Sequence, residues 1–305
     1  MSVVLPKQRK VSFYTSNNLI EWRHLSDFGP VGAVDGDWEC PDLFPLYVDG
    51  DESNTKWVLL ISINPGGLTG GSGTQYFIGD WSGKEFTADD STTRWIDHGR
   101  DNYAGVTFND VPNLRRVFMG WMNNWEYGID FPTDPWRGAM TLPRELTLIS
   151  KNGKLSLAAN PVTELQSYLG EKLFNGNSAD LLEIRASVSI IEGLSTKFRI
   201  SGENGKSFEF GYDAKSKSIF IDRTHAWNEI PSSNVHSSPV TDEEKIIDIC
   251  AIVDRASVEV FAAGGTCVVT DLLFLDGARL SATFEITEGC QAPRSLAVRS
   301  ISPRR

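Results

Sequence analysis

Hydrophobic positions along the chain fall in short runs, not in long helical stripes. Runs rich in Val, Ile, Phe, Tyr and Trp recur at Lys10–Tyr14, Trp57–Ile63, Gln75–Trp81, Gly105–Asn109 and Val117–Met122, with Gly, Asn, Asp and Ser between them. That alternation of β-formers and turn-formers predicts antiparallel strands almost throughout, in a propeller, a sandwich or a barrel. Asn152-Gly153 and Asn204-Gly205 predict hairpins, because both residue types tolerate the positive φ of a tight primed turn. In Ser207–Tyr212, Phe208, Phe210 and Tyr212 fall on one face of a strand. Ile246–Phe261 reads as two strands joined around Asp254-Arg255. One segment departs from the pattern. Val162–Leu169 follows Asn160-Pro161 and predicts a short helix with Leu165, Tyr168 and Leu169 on one face. It separates an aromatic-rich first half from a second half of cleaner period-2 alternation, which puts a domain boundary near residues 155–170.

Composition narrows the possibilities. The 305 residues suffice for one large domain or two ordinary ones, and 40% apolar with 23% charged residues is usual for a globular protein. A net charge of -11 argues against a nucleic-acid partner, whose phosphates need clustered Lys and Arg. No apolar run approaches the ~20 residues that span a bilayer, so no membrane partner is expected. Lys7, Arg9 and Lys10 near the N-terminus are followed by no apolar stretch, so no secretory signal is expected on this chain. Cys40, Cys250, Cys267 and Cys290 are scattered, as are His24, His98, His225 and His236. That spacing predicts neither a disulfide framework nor a metal site, and no cofactor is expected. Eight tryptophans (Trp22, Trp38, Trp57, Trp81, Trp95, Trp121, Trp125 and Trp136) precede the boundary, and only Trp227 follows it. A flat ring packs well on the C–H face of a sugar, although core packing accounts for most tryptophans.

Four segments concentrate the candidate chemistry: Trp38–Leu46 (WECPDLFPL), His98–Phe108 (HGRDNYAGVTF), Gly120–Trp125 (GWMNNW) and Pro135–Leu146 (PWRGAMTLPREL). With Lys10–Trp22 (KVSFYTSNNLIEW), Phe220–Thr224 (FIDRT) and Asp254–Phe261 (DRASVEVF), this ordered set resembles glycoside hydrolase family 32, the invertases, levanases and inulinases, over nearly the whole chain. The resemblance implies an all-β fold, an incomplete five-bladed β-propeller represented by about its last three blades and followed by a β-sandwich. It puts the partial catalytic propeller at residues 1–155, a linker with the short helix at 156–170, and the sandwich at 171–305. The activity implied is retaining cleavage of terminal fructofuranosyl bonds in levan, inulin or sucrose. One carboxylate attacks the anomeric carbon, while a second carboxylic acid protonates the leaving oxygen and then activates water. The E-C-P-D motif maps the acid/base to Glu39, flanked by Trp38 and Cys40 in a largely apolar stretch. The same resemblance puts Asp101 and Tyr103 beside the acid/base and the sugar hydroxyls, and Trp125 and Trp136 along the pocket. Asp42, Arg144 and Glu145 are expected to hold blade geometry, and Cys40 to be a small neighbour of Glu39 without nucleophilic duty. The Gly66–Gly73 run (GGLTGGSG) lacks the Gly-Lys-Ser/Thr of a phosphate loop and reads as a flexible connection. The pairing of RDNYAGVTF with GWMNNW is more similar to exo-acting levanases and inulinases than to plant invertases.

Two family motifs are missing from these residues. There is no N-D-P-N-G, which carries the nucleophile, and no R-D-P, since Asp134-Pro135 is preceded by Thr133 and follows Glu39. Acid catalysis alone contributes about 10²–10⁴-fold, so negligible hydrolysis by this chain alone is expected. Roughly two blades would be absent, which predicts exposed strand edges and a requirement for a separate N-terminal half or a homo-oligomer. The alternatives are a catalytically dead fructan-binding module and a truncated gene product. Relatives that act on polymeric fructan are usually secreted, so the full-length member is expected outside the cell.

Overall fold

The strand periodicity seen in the sequence governs the structure, a computed structural model that describes residues 1–305 apart from 131, 174–177, 227–232, 242–243, 276–278, 286–287 and 303–305. The chain divides into two compact units. One comprises Met1–Ile96 and Asp101–Ala159, the other Asp97–Arg100 and Asn160–Arg305.

The first unit is built from blade-like antiparallel sheets. Ser2–Leu5, Lys10–Thr15 and Arg23–Phe28 form a three-stranded sheet. Asp37–Val48 pairs with Asp51–Asn64, which pairs with Gly73–Trp81; Phe86–Ala88 and Arg94–Trp95 complete that group. Tyr103–Thr107, Arg116–Met122, Arg144–Lys151 and Lys154–Pro161 make a third, with Ala139–Met140 on its edge. One parallel bridge, Leu148 to Val48, links the second group to the third. Among the described residues these sheets make up a part-propeller of about three blades and close no ring.

Val58, Leu59, Leu60, Ile61 and Ile63 are all buried, as suits a central strand covered on both faces. Phe28 meets Phe77 and Phe86 edge-on, at centroid distances of 5.0 and 5.2 Å. Trp38 belongs to this core. It is fully buried and its indole N–H donates to the Ala33 carbonyl at 2.8 Å, so it presents no ring to a sugar.

The second unit is a β-sandwich. Its six-stranded sheet runs in the order Leu169–Lys172, Ser295–Ile301, Leu182–Ser189, Ile246–Asp254, Ser257–Ala262, Cys267–Leu272. The five-stranded sheet runs Val235–Pro239, Ser218–Asp222, Ser207–Asp213, Thr196–Gly202, Leu280–Glu285. Alternate residues supply the shared core: Leu182, Ile184 and Val188 from one sheet, Phe208, Phe210 and Tyr212 from the other. Phe198 stacks on Phe210 at 5.1 Å. Each fully buried side chain of this size contributes roughly 1.5–3 kcal/mol.

The turns differ in how closely they follow expectation. Asn152 and Gly153 both have positive φ, at 50° and 74°, and form the tight primed turn. The Asn204-Gly205 hairpin forms, but with a longer loop in which only Gly205 is left-handed (φ 82°). The Asn204 side chain instead accepts from Lys206 N–H at 3.1 Å and donates to the Leu275 carbonyl at 2.9 Å. The helix expected at Val162–Leu169 is a 3₁₀ segment, Thr163–Tyr168, that buries nothing, and Leu169 already starts the next strand. Six residues without a buried stripe cannot repay α-helix nucleation. Trp227 lies outside the described residues.

Candidate active site

Glu39 sits on Asp37–Val48, opposite Ser62 on the neighbouring strand. Immediately after it the register shifts, with Cys40 at φ 46°, so an irregularity turns the strand at the position expected to bear the acid/base. Pro41, which cannot donate to a ladder, occupies this break. Tyr103 begins the strand Tyr103–Thr107 opposite Trp121. There too the register shifts, between Met119 and Trp121, and Ala104 adopts φ 52°. The two irregular strands bring their side chains together: the Tyr103 hydroxyl donates to Glu39 Oε2.

Glu39 is half-buried, whereas Tyr103 is 1% exposed. Burial, reinforced by the bond to Glu39 and its negative charge, pushes the Tyr103 phenol well above its ordinary pKa. Tyr103 therefore remains a hydrogen-bond donor across the working pH range. Cys40 is likewise raised, by burial and then by the Glu39 charge, which keeps the thiol protonated.

An aromatic line extends from this pair. The Tyr103 ring meets Trp121 edge-on at 6.5 Å, and Trp121 lies 5.1 Å from Trp125. Trp125 is 53% exposed and its backbone N–H donates to Ser72 Oγ at 2.9 Å. Trp136 is 46% exposed. Its carbonyl accepts from Thr133 Oγ1 at 2.6 Å and from Arg137 Nη1 at 3.1 Å. Two residues on, a side chain at Gly138 would collide with the Trp121 indole, so the segment carrying Trp136 passes close to that ring. Asp101 is 0% exposed and accepts from the Tyr127 hydroxyl through Oδ1. It lies beneath the surface, two residues before Tyr103.

Trp121 and Asn124 of the GWMNNW motif belong to this arrangement, and so do Ser72 and Tyr127, to which the sequence alone gives no role. The Gly66–Gly73 run lies in the connection between Asp51–Asn64 and Gly73–Trp81, as expected from the sequence. It is not merely a connection: Asn124 Nδ2 donates to the Gly70 carbonyl at 3.1 Å, and Ser72 N–H donates to Asn124 Oδ1 at 3.3 Å. Any side chain at Gly71 (φ 60°) would overlap Asn124 Oδ1, which explains glycine there. The doubled Asn in GWMNNW was the available signal. Among the supporting residues, Asp42 Oδ2 accepts from Thr107 N–H and Oγ1, both at 2.7 Å, and Glu145 pairs with Arg115 at 3.0 Å. Arg144 is fully buried. Among the described residues no group of three His, Cys, Asp or Glu side chains could hold a metal ion, and no helix is long and apolar enough to cross a membrane.

The geometry thus offers a carboxyl group with one oxygen oriented by a phenol, whose ring begins the line Tyr103–Trp121–Trp125. Such a group can give or take a proton.

Comparisons with known proteins identify the family. Residues 1–161 match the glycosyl hydrolases family 32 N-terminal domain, and residues 147–296 match the family 32 C-terminal domain. The chain is 36% identical to the levanase of Bacillus subtilis over 299 residues, 90% of this chain and 44% of that protein. It is 37% identical to the extracellular exo-inulinase of Aspergillus niger over 313 aligned positions, 92% of this chain and 58% of the other. The chain thus spans about half the length of these relatives. Among solved structures, the exo-inulinase from Aspergillus awamori superposes with a TM-score of 0.83 at 33% identity, covering 98% of this chain and 63% of that one. A β-fructofuranosidase from Schwanniomyces occidentalis, complexed with fructosyl-erythritol, gives 0.87 at 26% identity, covering 99% and 67%. The chain belongs to glycosyl hydrolase family 32.

Proposed function

We propose that this chain carries the acid/base half of a retaining glycosidase that cleaves terminal fructofuranosyl bonds in levan, inulin or sucrose. Residues 1–155 would supply the chemistry and residues 171–305 a supporting sandwich. The observation that carries the reading is the Tyr103–Glu39 hydrogen bond at the head of the Trp121–Trp125 line. The levanase, exo-inulinase and β-fructofuranosidase relatives support the substrate class.

In this reading Glu39 donates its proton to the departing glycosidic oxygen. It later accepts one from the water that releases fructose. Tyr103 holds the carboxyl in one rotamer, which reduces the entropy lost on reaching the transition state. Trp125 and Trp136 offer flat faces to the sugar. Asp101, being wholly buried, acts by fixing Tyr127 and the start of the Tyr103 strand.

The attacking carboxylate must come from elsewhere, because N-D-P-N-G and R-D-P do not occur among these 305 residues. We infer negligible turnover by the chain alone, with completion by another polypeptide segment that carries these motifs. Fructose release from levan, inulin and sucrose by the purified chain tests this, and turnover at about 1–10³ s⁻¹, the usual enzyme range, would contradict it. The second reading, a fructan-binding module without turnover, is favoured by the same missing motifs together with the two exposed tryptophans. Fructo-oligosaccharide binding without fructose release, persisting after the chain is joined to the part of a relative that it does not cover, would decide for it.

A further inference from the structure

Within the first unit, Glu39 and Trp125 are joined by two separate routes. One is the line already described, from Glu39 through Tyr103 and Trp121. The other crosses the sheet. Glu39 lies opposite Ser62 and Ser62 opposite Thr74, so the three stand on adjacent strands, about 10 Å from first to last. Ser62 Oγ and Thr74 Oγ1 are buried and 3.0 Å apart, which ties the second step of that row. Two residues before Thr74, Ser72 Oγ accepts the backbone N–H of Trp125 at 2.9 Å.

The second route ends in a latch. Asn124 is fully buried. Its Nδ2 donates to the Gly70 carbonyl at 3.1 Å, and its Oδ1 accepts from Ser72 N–H at 3.3 Å and from Glu126 N–H at 3.0 Å. One side chain thus holds the Gly66–Gly73 connection and the turn that carries Trp125. The connection is closed on itself as well, by Gly67 N–H to the Gly71 carbonyl at 2.9 Å and Gly70 N–H to the Gly67 carbonyl at 3.0 Å. A satisfied buried polar network rigidifies what it holds. Here it holds the backbone on both sides of Trp125, whose side chain is left exposed.

We propose that Ser72 and Asn124 are positioning residues for the sugar-binding face of Trp125, and that the Gly66–Gly73 connection sets how far that face stands from Glu39. This rests on the reading of Glu39 and Trp125 given above. Packing against an aromatic ring depends on its distance and tilt, so a ring free to rock offers a sugar less contact than a fixed one. Trp121 meets the Trp125 ring, while Ser72 holds the Trp125 backbone. Removing the Ser72 hydroxyl leaves the first constraint alone, and the ring loses its set distance from the acid/base.

The test uses the full chain with Ser72→Ala, Ser72→Thr as the conservative variant that restores the hydroxyl, and Trp125→Phe to isolate the Trp125 emission by difference. Four quantities are read: hydrogen exchange at the Trp125 amide, Trp125 emission, affinity for a fructo-oligosaccharide by calorimetry, and the thermal midpoint. In Ser72→Ala the latch predicts about tenfold faster exchange, a redshifted Trp125 emission and about tenfold weaker sugar binding, with the midpoint within a few degrees of the parent. Ser72→Thr should recover all three. Faster exchange with emission and sugar affinity unmoved would overturn the proposal and leave the Ser72 bond as a local staple. So would a loss of affinity that follows the midpoint and is not recovered in Ser72→Thr. If Ser72→Ala does not fold, Ser72→Cys decides, since its sulfur is a weak acceptor in the same place. If the unaltered chain binds no fructo-oligosaccharide, the reading of the site fails, while Trp125 exchange and emission still decide whether Ser72 positions the ring.

Discussion

At the scale of single residues, the Tyr103–Glu39 contact forms where two strands lose their register. The Tyr103 hydroxyl reaches Glu39 while its ring packs against Trp121, so Tyr103→Phe removes the polar contact and keeps the packing. The expected outcome is an unchanged thermal midpoint within a few degrees and roughly tenfold weaker turnover or sugar affinity, the usual worth of a hydrogen bond to a charged group. A second residue-scale prediction concerns Cys250, whose thiol is pushed up to about 11, mainly by burial. Its protonated form persists in the folded state while an exposed thiol ionises near 9, so its stabilising contribution is full below pH 9 and is lost as pH rises toward 11. Iodoacetamide labelling at pH 7.5 should leave Cys250 unmodified in the native protein, and Cys250→Ala should soften the alkaline loss of stability. Glu39, Asp101 and Tyr103 each lie in a local motif, which is why the sequence draws attention to them. The partners of Asn124 and Tyr127, at Gly70 and Asp101, lie far away in the chain, and such pairings cannot be read from a motif even where, as at GWMNNW, the motif itself stands out.

At the scale of elements, period-2 alternation was enough to locate the principal strands, because strands buried on one or both faces must expose their pattern. The Asn152-Gly153 turn was legible for a definite reason, two consecutive residues that tolerate φ above zero. Asn204-Gly205 has the same letters, yet the Asn204 amide found a better partner in the Leu275 carbonyl, and the loop lengthened around it. The Gly66–Gly73 run reads as a connection and is one, but glycine signals freedom and close approach equally well, and only the fold shows that Asn124 fills the space beside Gly71. That difference is testable. Gly71→Ala should force Asn124 away and place alanine at φ 60°, costing about 1–2 kcal/mol. It should also redshift the Trp125 emission, since Trp125 N–H is held by Ser72 of the same loop. Unchanged stability and emission would show that the loop is not held by this contact.

At the scale of the whole molecule, the family architecture was readable because its motifs are spread along nearly the full chain in order. The excursion of Asp97–Arg100 into the second unit was not readable, since a four-residue segment has no composition of its own. Within the sandwich, Asp271 and Arg223 are fully buried, with His236 Nδ1 2.7 Å and Arg223 Nη1 3.9 Å from Asp271 Oδ1, and this charged group makes a prediction for acid. Burial alone would raise the Asp271 carboxyl, but the His236 and Arg223 charges and the Arg100 N–H bring it below the ordinary value of 3.8. A lowered folded-state value means that the stabilising contribution is complete above about 3.8 and is lost as pH falls below it. The thermal midpoint should therefore fall steeply below pH 4, and Asp271→Asn should flatten that decline while lowering stability at neutral pH.

The most direct test of Glu39 as acid/base compares leaving groups. The chain is joined to the part of the Aspergillus awamori exo-inulinase that it does not cover, and Glu39→Gln is assayed against the parent on inulin and on an aryl β-fructofuranoside with an acidic phenol. Protonation matters for the sugar leaving group and hardly at all for the phenolate. Glu39→Gln should therefore lose about 10²–10⁴-fold on inulin and far less in the fructosylation step with the aryl substrate. Equal losses on both substrates, or undiminished inulin hydrolysis, would contradict the assignment.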